Sequence, residues 1–162
     1  MLGQIIRSPE IWNKASDQRK AIFLAGGITN CPLWQDYAAK RIASSLPVVV
    51  LDPRRDNWDM KNGHVESVIQ ISWECKHLKK SDHILFWFPS TSDCPIALFE
   101  LGSYLDKNTP ISIGTDCQYN RRFDVEVQTA MVRPRMIVWD NLDKMIDNLI
   151  LHWNEPFDRK LW

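Results

Sequence analysis

Between Asp82 and Pro89 the chain carries an unbroken run of large apolar residues at positions 84–88, ILFWF. Such a run is long enough for a strand and too short for a helix. Being apolar at odd and even positions alike, it must be buried on both faces, the condition of a strand in a parallel sheet covered by helices. Pro89 ends it, and Ser90, Thr91, Ser92 and Asp93 read as a polar loop. Pro95 suits the first turn of a helix, continued by IALFELGSYL. Asp93 therefore falls at the carboxyl end of a buried strand and Glu100 on the helix that follows. In open parallel sheets, ligands bind at that carboxyl edge. Glu100 lies between Phe99 and Leu101, neighbours that predict burial; a buried carboxylate is paired, protonated or used in chemistry.

The rest of the chain repeats this alternation. Residues 21–25 (AIFLA) predict a strand, followed by Gly26, Gly27, Ile28, Thr29 and Asn30. Paired glycines at a strand exit let backbone approach a ligand closely, and Thr29 or Asn30 is expected to cap the next helix. That helix spans 34–45, with Trp34, Tyr37, Ala38 and Ile42 on one side. A second strand at 47–51 (PVVVL) leads into Asp52, Pro53, Arg54, Arg55 and Asp56. After a loop at 57–63, residues 65–78 predict a helix with Val68, Ile71, Cys75 and Leu78 inward. Strands at 110–113 and 136–139 follow, separated by a polar loop and a helix at 123–131. Asp140 is expected to cap a last helix with Leu142, Met145, Ile146 and Leu149 along one face.

Strands alternating with helices predict a parallel sheet with right-handed crossovers. The expected fold is α/β: a single-domain, flavodoxin-like or Rossmann-like three-layer sandwich with a five-stranded parallel sheet. Residues 1–20 read as a polar lead-in, 21–152 as the domain and 153–162 as a C-terminal tail. A length of 162 residues suits one domain.

Several function classes fall away. Lys plus Arg and Asp plus Glu number 20 each, so no bulk field draws the chain to nucleic acid or membrane. No apolar run approaches the roughly 20 residues of a membrane span, and the start shows neither signal peptide nor anchor. Cys31, Cys75, Cys94 and Cys117 are scattered without a CxxC pair, which argues against a zinc site or disulfide framework and for reduced thiols in the cytoplasm. The histidines (His64, His77, His83, His152) lack metal spacing and read as solvated or packed. GxGxxG, Walker and GxSxG motifs are absent. No metal or organic cofactor is expected.

Three acids cluster around the ILFWF strand in this fold: Glu74, Asp93 and Glu100. Paired carboxylates serve glycosyl chemistry, one at the anomeric carbon and one at the leaving group. Alternatively, Glu74 is a solvated helix residue and Asp93 a turn or capping aspartate. Arg54 and Arg55 either grip a phosphate or carboxylate or pair with Asp52 or Asp56. Trp34, Trp73, Trp87 and Phe88 either wall a dry pocket or pack the core.

At these residues the chain resembles the nucleoside 2-deoxyribosyltransferase family, in its deoxyribosyltransferase-like branch. The matching pieces, in the family's order, are IFLAGGI (22–28), Trp34, LDPRRD (51–56), QISWE (70–74), SDHILFWF (81–88) and PIALFELG (95–102). The resemblance implies that Glu100 is the nucleophile at the sugar C1′. It also implies that Glu74 stands where the family places an aspartate near the base, and that Asp93 contacts or protonates the base. Gly26, Gly27, Trp34, Arg54, Arg55 and Trp73 become candidate substrate-binding residues. A GlyGlyIle loop stands where the well-known members carry a tyrosine. The implied partners are a small-molecule nucleoside or nucleotide, a free base and further copies of the same chain. Two rival readings stay open: a glycohydrolase of nucleoside 5′-monophosphates or other N-ribosyl compounds resembling nicotinamide dinucleotides, and a nucleotide-binding protein without catalysis.

Overall fold

The computed structural model describes residues 2–55 and 63–155. Its strands are β1 (Gln4–Arg7), β2 (Ala21–Gly26), β3 (Val49–Asp52), β4 (His83–Phe88), β5 (Ile111–Thr115) and β6 (Val138–Trp139). Its helices are α1 (Trp34–Ser45), α2 (Gly63–Lys80), α3 (Pro95–Leu105), α4 (Arg122–Val132) and α5 (Leu142–His152). The expected α/β fold with parallel strands is present, with six strands rather than five. By its internal contacts the chain divides into two compact units. One comprises Met1–Leu24 with Gln35–Asp82, the other Ala25–Trp34 with His83–Trp162.

In the first unit β3 lies between β1 and β2, parallel to both; Ile6 is level with Leu51, and Ile22 with Val50. Ile22, Leu24, Val49, Val50 and Leu51 are completely buried, as are Ala38, Ala39 and Ile42 on α1. Each large aliphatic side chain removed from water in this way contributes about 1.5–3 kcal/mol. The sixth strand, β1, comes from the lead-in. Its two adjacent apolar residues, Ile5 and Ile6, are too short a signal to separate from the polar residues around them.

The lead-in also decides which side of α2 faces inward. Val68, Ile71 and Cys75 are exposed, against expectation, Leu78 is buried as expected, and Gln70, Trp73 and His77 are buried with it. The reason is polar pairing. Trp73 Nε1–H donates to the Glu10 carbonyl at 2.6 Å. The Trp12 backbone N–H donates to His77 Nε2 at 3.2 Å. That acceptor role puts the ring proton on Nδ1, which donates to the Trp73 carbonyl at 2.7 Å. Trp73 and His77 are stacked with centroids 4.1 Å apart. Burial, the largest influence, holds the imidazole's pKa below its ordinary value, in keeping with this neutral form.

In the second unit β5 lies between β4 and β6, all parallel, with Ile84 level with Ile111 and Phe88 with Thr115. Every residue of β4 is buried, as the unbroken ILFWF run predicts. These orders, β3 beside β2 and β4–β5–β6, are those a flavodoxin-like arrangement requires within each unit. Pro95 opens α3 as expected. The α5 cap is Asn141 and not Asp140: its side chain accepts the Lys144 N–H at 3.0 Å. At the other end of α3 the buried Arg133 acts as a clamp. Its Nε donates to the Leu105 carbonyl at 2.8 Å, and Nη2 reaches the carbonyls of Lys107 at 2.6 Å and Thr109 at 3.3 Å. A cation there satisfies carbonyls that a helix end leaves without partners and complements the negative end of its dipole. Among the described residues no helix is long and apolar enough to cross a membrane.

Candidate functional site

In the first unit the chain ends of β1 and β3 lie together: the Ser8 N–H donates to the Asp52 carbonyl at 3.1 Å. Asp52 is fully buried and pairs with Arg7, Nε to Oδ2 at 3.1 Å; Arg7 also pairs with Asp36. Burial pushes the Asp52 carboxyl up, and the Arg54 N–H and the Arg7 guanidinium oppose that. Arg54 follows the strand, its backbone N–H on Asp52 Oδ1 at 3.0 Å and its Nε on Gln35 Oε1 at 3.1 Å. Arg55 pairs with Glu66 at 2.5 Å, not with Asp52. Asp56, the other expected partner, lies outside the described residues.

Glu74 is half-buried on α2, one helical turn after Gln70. Gln70 Nε2 donates both to Glu74 Oε1 at 2.8 Å and to the Pro53 carbonyl at 2.7 Å, and its Oε1 accepts from Ser8 Oγ at 2.8 Å. With both N–H groups and its carbonyl engaged, this amide is fixed in one orientation. Burial raises the Glu74 carboxyl above the ordinary glutamate range, and the Gln70 hydrogen bond only partly offsets it. Trp73, by contrast, is a core residue, buried against Phe23 and His77.

In the second unit three loops leave the carboxyl ends of their strands: Gly26–Cys31, Pro89–Cys94 and Asp116–Arg121. The Asp116 N–H, donating to the Phe88 carbonyl at 2.8 Å, joins two of them. Gly26 has φ +153°, and a methyl group on it would lie 2.0 Å from the Trp87 carbonyl oxygen and 2.7 Å from the Trp34 ring. Only glycine fits. A methyl on Gly27 would meet the Cys31 and Cys94 sulfurs at 2.6 and 2.8 Å. The close approach that the glycine pair permits is thus to the protein's own backbone and side chains. Trp34 is buried and closes the loop, its Nε1–H on the Gly27 carbonyl at 2.9 Å. The helix α1 begins at Trp34, so neither Thr29 nor Asn30 stands at its start.

Asp93 is exposed. Its carbonyl accepts the Tyr119 hydroxyl at 2.7 Å, and its Oδ1 lies 3.4 Å from Asn120 Nδ2. Tyr119 is buried and stacks on Phe88 at 5.4 Å; burial, reinforced by Cys94 and Asp93, raises the pKa of its phenol and keeps it a donor. Cys94, with φ 48°, turns the chain into α3. On that helix Ala97, Leu101, Tyr104 and Leu105 face inward. Glu100, one turn after Ala97 and one before Tyr104, is half-buried at the margin of that face. Phe99 is 76 % exposed, so the burial expected from Glu100's neighbours holds on one side only. The second unit therefore presents Asp93 and Glu100, and the first presents Glu74, tied through Gln70 to Pro53, the residue before Arg54.

Gln70, Tyr119 and Asn120 escaped the sequence reading. Gln70 stands in the QISWE segment four residues before Glu74, the spacing of helix neighbours, and could have been found from that. Tyr119 and Asn120 are distant in sequence from Asp93 and carry no comparable signal. Among the described residues no group of three or more His, Cys, Asp and Glu side chains is arranged to hold a metal ion.

The fold is α/β with parallel strands, and Glu74, Asp93 and Glu100 lie on the helices and loops that follow those strands. The chain belongs to the nucleoside 2-deoxyribosyltransferase-like family, whose profile matches residues 19–117. That span takes in Glu74, Asp93, Glu100 and all the candidate substrate-binding residues, and membership points to an enzyme that handles nucleosides or bases. A search of the curated proteins finds no match.

Proposed function

We propose that the protein cleaves the N-glycosidic bond of deoxynucleosides and transfers the 2-deoxyribosyl group to another base. The observation that carries this reading is Glu100, held at the margin of the buried face of α3 within the matched span. Its carboxylate attacks C1′ as the bond to the base breaks, giving a covalent deoxyribosyl-enzyme. The electron pair of the broken bond leaves on the base nitrogen, where a proton makes the base a better leaving group. Asp93, exposed on its loop, supplies contact to the base. Burial raises the Glu74 carboxyl above the ordinary glutamate range, the direction that suits a proton donor. A free base then attacks C1′ and releases the Glu100 carboxylate.

For the rival that requires a 5′-phosphate, the phosphate would share the guanidiniums with the partners they already have, Gln35 for Arg54 and Glu66 for Arg55. Exposed Ile96 and Phe99 on α3 and Phe123 and Met131 on α4 support a homo-oligomer, because a monomer gains nothing from displaying them. A cytoplasmic setting follows from the same reading, since nucleosides, free bases and reduced thiols occur together there.

Purified protein incubated with deoxyinosine, with and without adenine or cytosine, tests this by chromatography. A new deoxynucleoside that forms only with acceptor base is the expected result, and Glu100→Gln should lower its rate at least about a thousandfold. Base released regardless of acceptor would make the protein a hydrolase. Turnover only of deoxynucleoside monophosphates would revive the phosphate reading. Near-normal turnover by folded Glu100→Gln would remove the nucleophile assignment.

A further inference from the structure

Cys31 and Cys94 are 63 positions apart in sequence and meet in the second unit. Both sulfurs lie within 2.8 Å of one point, the place a methyl group on Gly27 would occupy. Glycine leaves that point to a hydrogen atom, so no side chain of residue 27 stands between the thiols. Cys31 is partly exposed and Cys94 buried, and both are reduced. Cys31 Sγ–H donates weakly to the Thr29 carbonyl at 3.4 Å, and Cys94 Sγ–H to that of Ser92 at 3.3 Å. The exposed cysteines Cys75 and Cys117 are not part of this arrangement.

We propose that Cys31 and Cys94 form a reversible dithiol–disulfide pair, oxidised by a low-molecular-weight disulfide and reduced again by a thiol. Cys31, the accessible member, attacks the external disulfide as a thiolate. A mixed disulfide forms and one small thiolate leaves. Cys94 then loses its proton and attacks the Cys31 sulfur. The protein disulfide closes and the second small thiolate departs. Two protein thiols and one disulfide become one protein disulfide and two small thiols, the two protons passing to the departing thiolates. Burial raises the Cys94 thiol to about 11, so Cys94 is the member that stays protonated while Cys31 makes the first attack. The bridge would fasten the Gly26–Gly27 loop to the residue directly after Asp93. Under the N-glycoside chemistry proposed above, on which this consequence rests, oxidation therefore slows turnover.

A protein with Cys75→Ser and Cys117→Ser isolates the pair, and glutathione disulfide serves as the oxidant. The expected product has lost the mass of two hydrogens, carries no glutathione, and yields, without reduction, a tryptic species joining residues 21–40 to residues 81–107. Adding Cys94→Ser should leave one glutathione on Cys31. Adding Cys31→Ser, a change at a partly exposed site that keeps the fold, should slow loss of the Cys94 thiol at least tenfold. Two thiols still titratable after oxidation, or two stable glutathione adducts, would overturn the pair. These readouts need no substrate. Base release is measured separately: a tenfold fall on bridging, restored by dithiothreitol, is expected, and unchanged release from bridged protein would overturn the control role alone.

Discussion

The two units solve the same problem, holding acidic groups at the ends of parallel strands, by different means. In the first, position is set by side-chain hydrogen bonds and ion pairs: Ser8 to Gln70 to Glu74, Arg54 to Gln35, Arg55 to Glu66. In the second it is set by backbone shape: Gly26 at φ +153°, Asn30 at 58° and Cys94 at 48° bring the loops where they are needed. Polar networks can be weakened one bond at a time, and each loss stays local. A backbone path admits few substitutions, and a failure moves everything attached to it.

The sharpest way to break that contrast is Gly26→Ala. With a carbonyl oxygen 2.0 Å from the new methyl and a strained φ, it should cost about 3–4 kcal/mol, read from urea denaturation. Gln70→Leu attacks the other strategy. It strands the Ser8 hydroxyl and one Glu74 oxygen and should cost about 1–3 kcal/mol. Turnover should respond to Gln70→Leu, since Glu74 loses the bond that aims it.

Titration sharpens the comparison, because the two units respond to pH with opposite sign. Glu74 has a raised pKa, so its stabilising contribution is complete below its ordinary value of 4.5 and is lost as pH rises through the folded value. Glu74→Gln mimics the protonated form; it should be more stable than the parent at about pH 7 and indistinguishable near about pH 4. In the second unit, His83 is buried with Nε2 2.9 Å from Ser112 Oγ, and desolvation depresses it to about 3. Its contribution is present above the ordinary value of 6.5 and lost as pH falls toward the folded value. His83→Gln should therefore flatten the acid side of the stability profile. Equal pH profiles for parent and both variants would dissolve the contrast. The smallest effect is Tyr119→Phe, which removes one hydrogen bond to the Asp93 carbonyl and should cost about 1 kcal/mol in the same denaturation assay.

Sequence reading succeeded where one physical demand dominated. The ILFWF run admits only a strand buried on both faces, and Pro95 marks the helix that carries Glu100. It failed where two segments had to be known together. The apolar stripe of α2 suggested Val68 and Ile71 inward, yet Trp73 and His77 turn inward because Glu10 and Trp12 supply their hydrogen-bond partners. Nothing in residues 1–20 alone announces that task. The glycine pair was legible as a place of close approach, but what approaches, two sulfurs and a tryptophan ring, depends on residues far along the chain. Likewise the scattered cysteines gave no hint that two of them converge.

The pairing of Trp12 with His77 also orders events in time. β1 and the turn after it precede their partners in the chain: β1 cannot join a sheet before Val49–Asp52 exists, and the Trp12 amide has no acceptor until α2 has formed. A segment synthesised ahead of its partners is therefore among the last of its unit to be secured. Until then its apolar residues are exposed to whatever else the cell offers, an interval that a slower-translated message would lengthen.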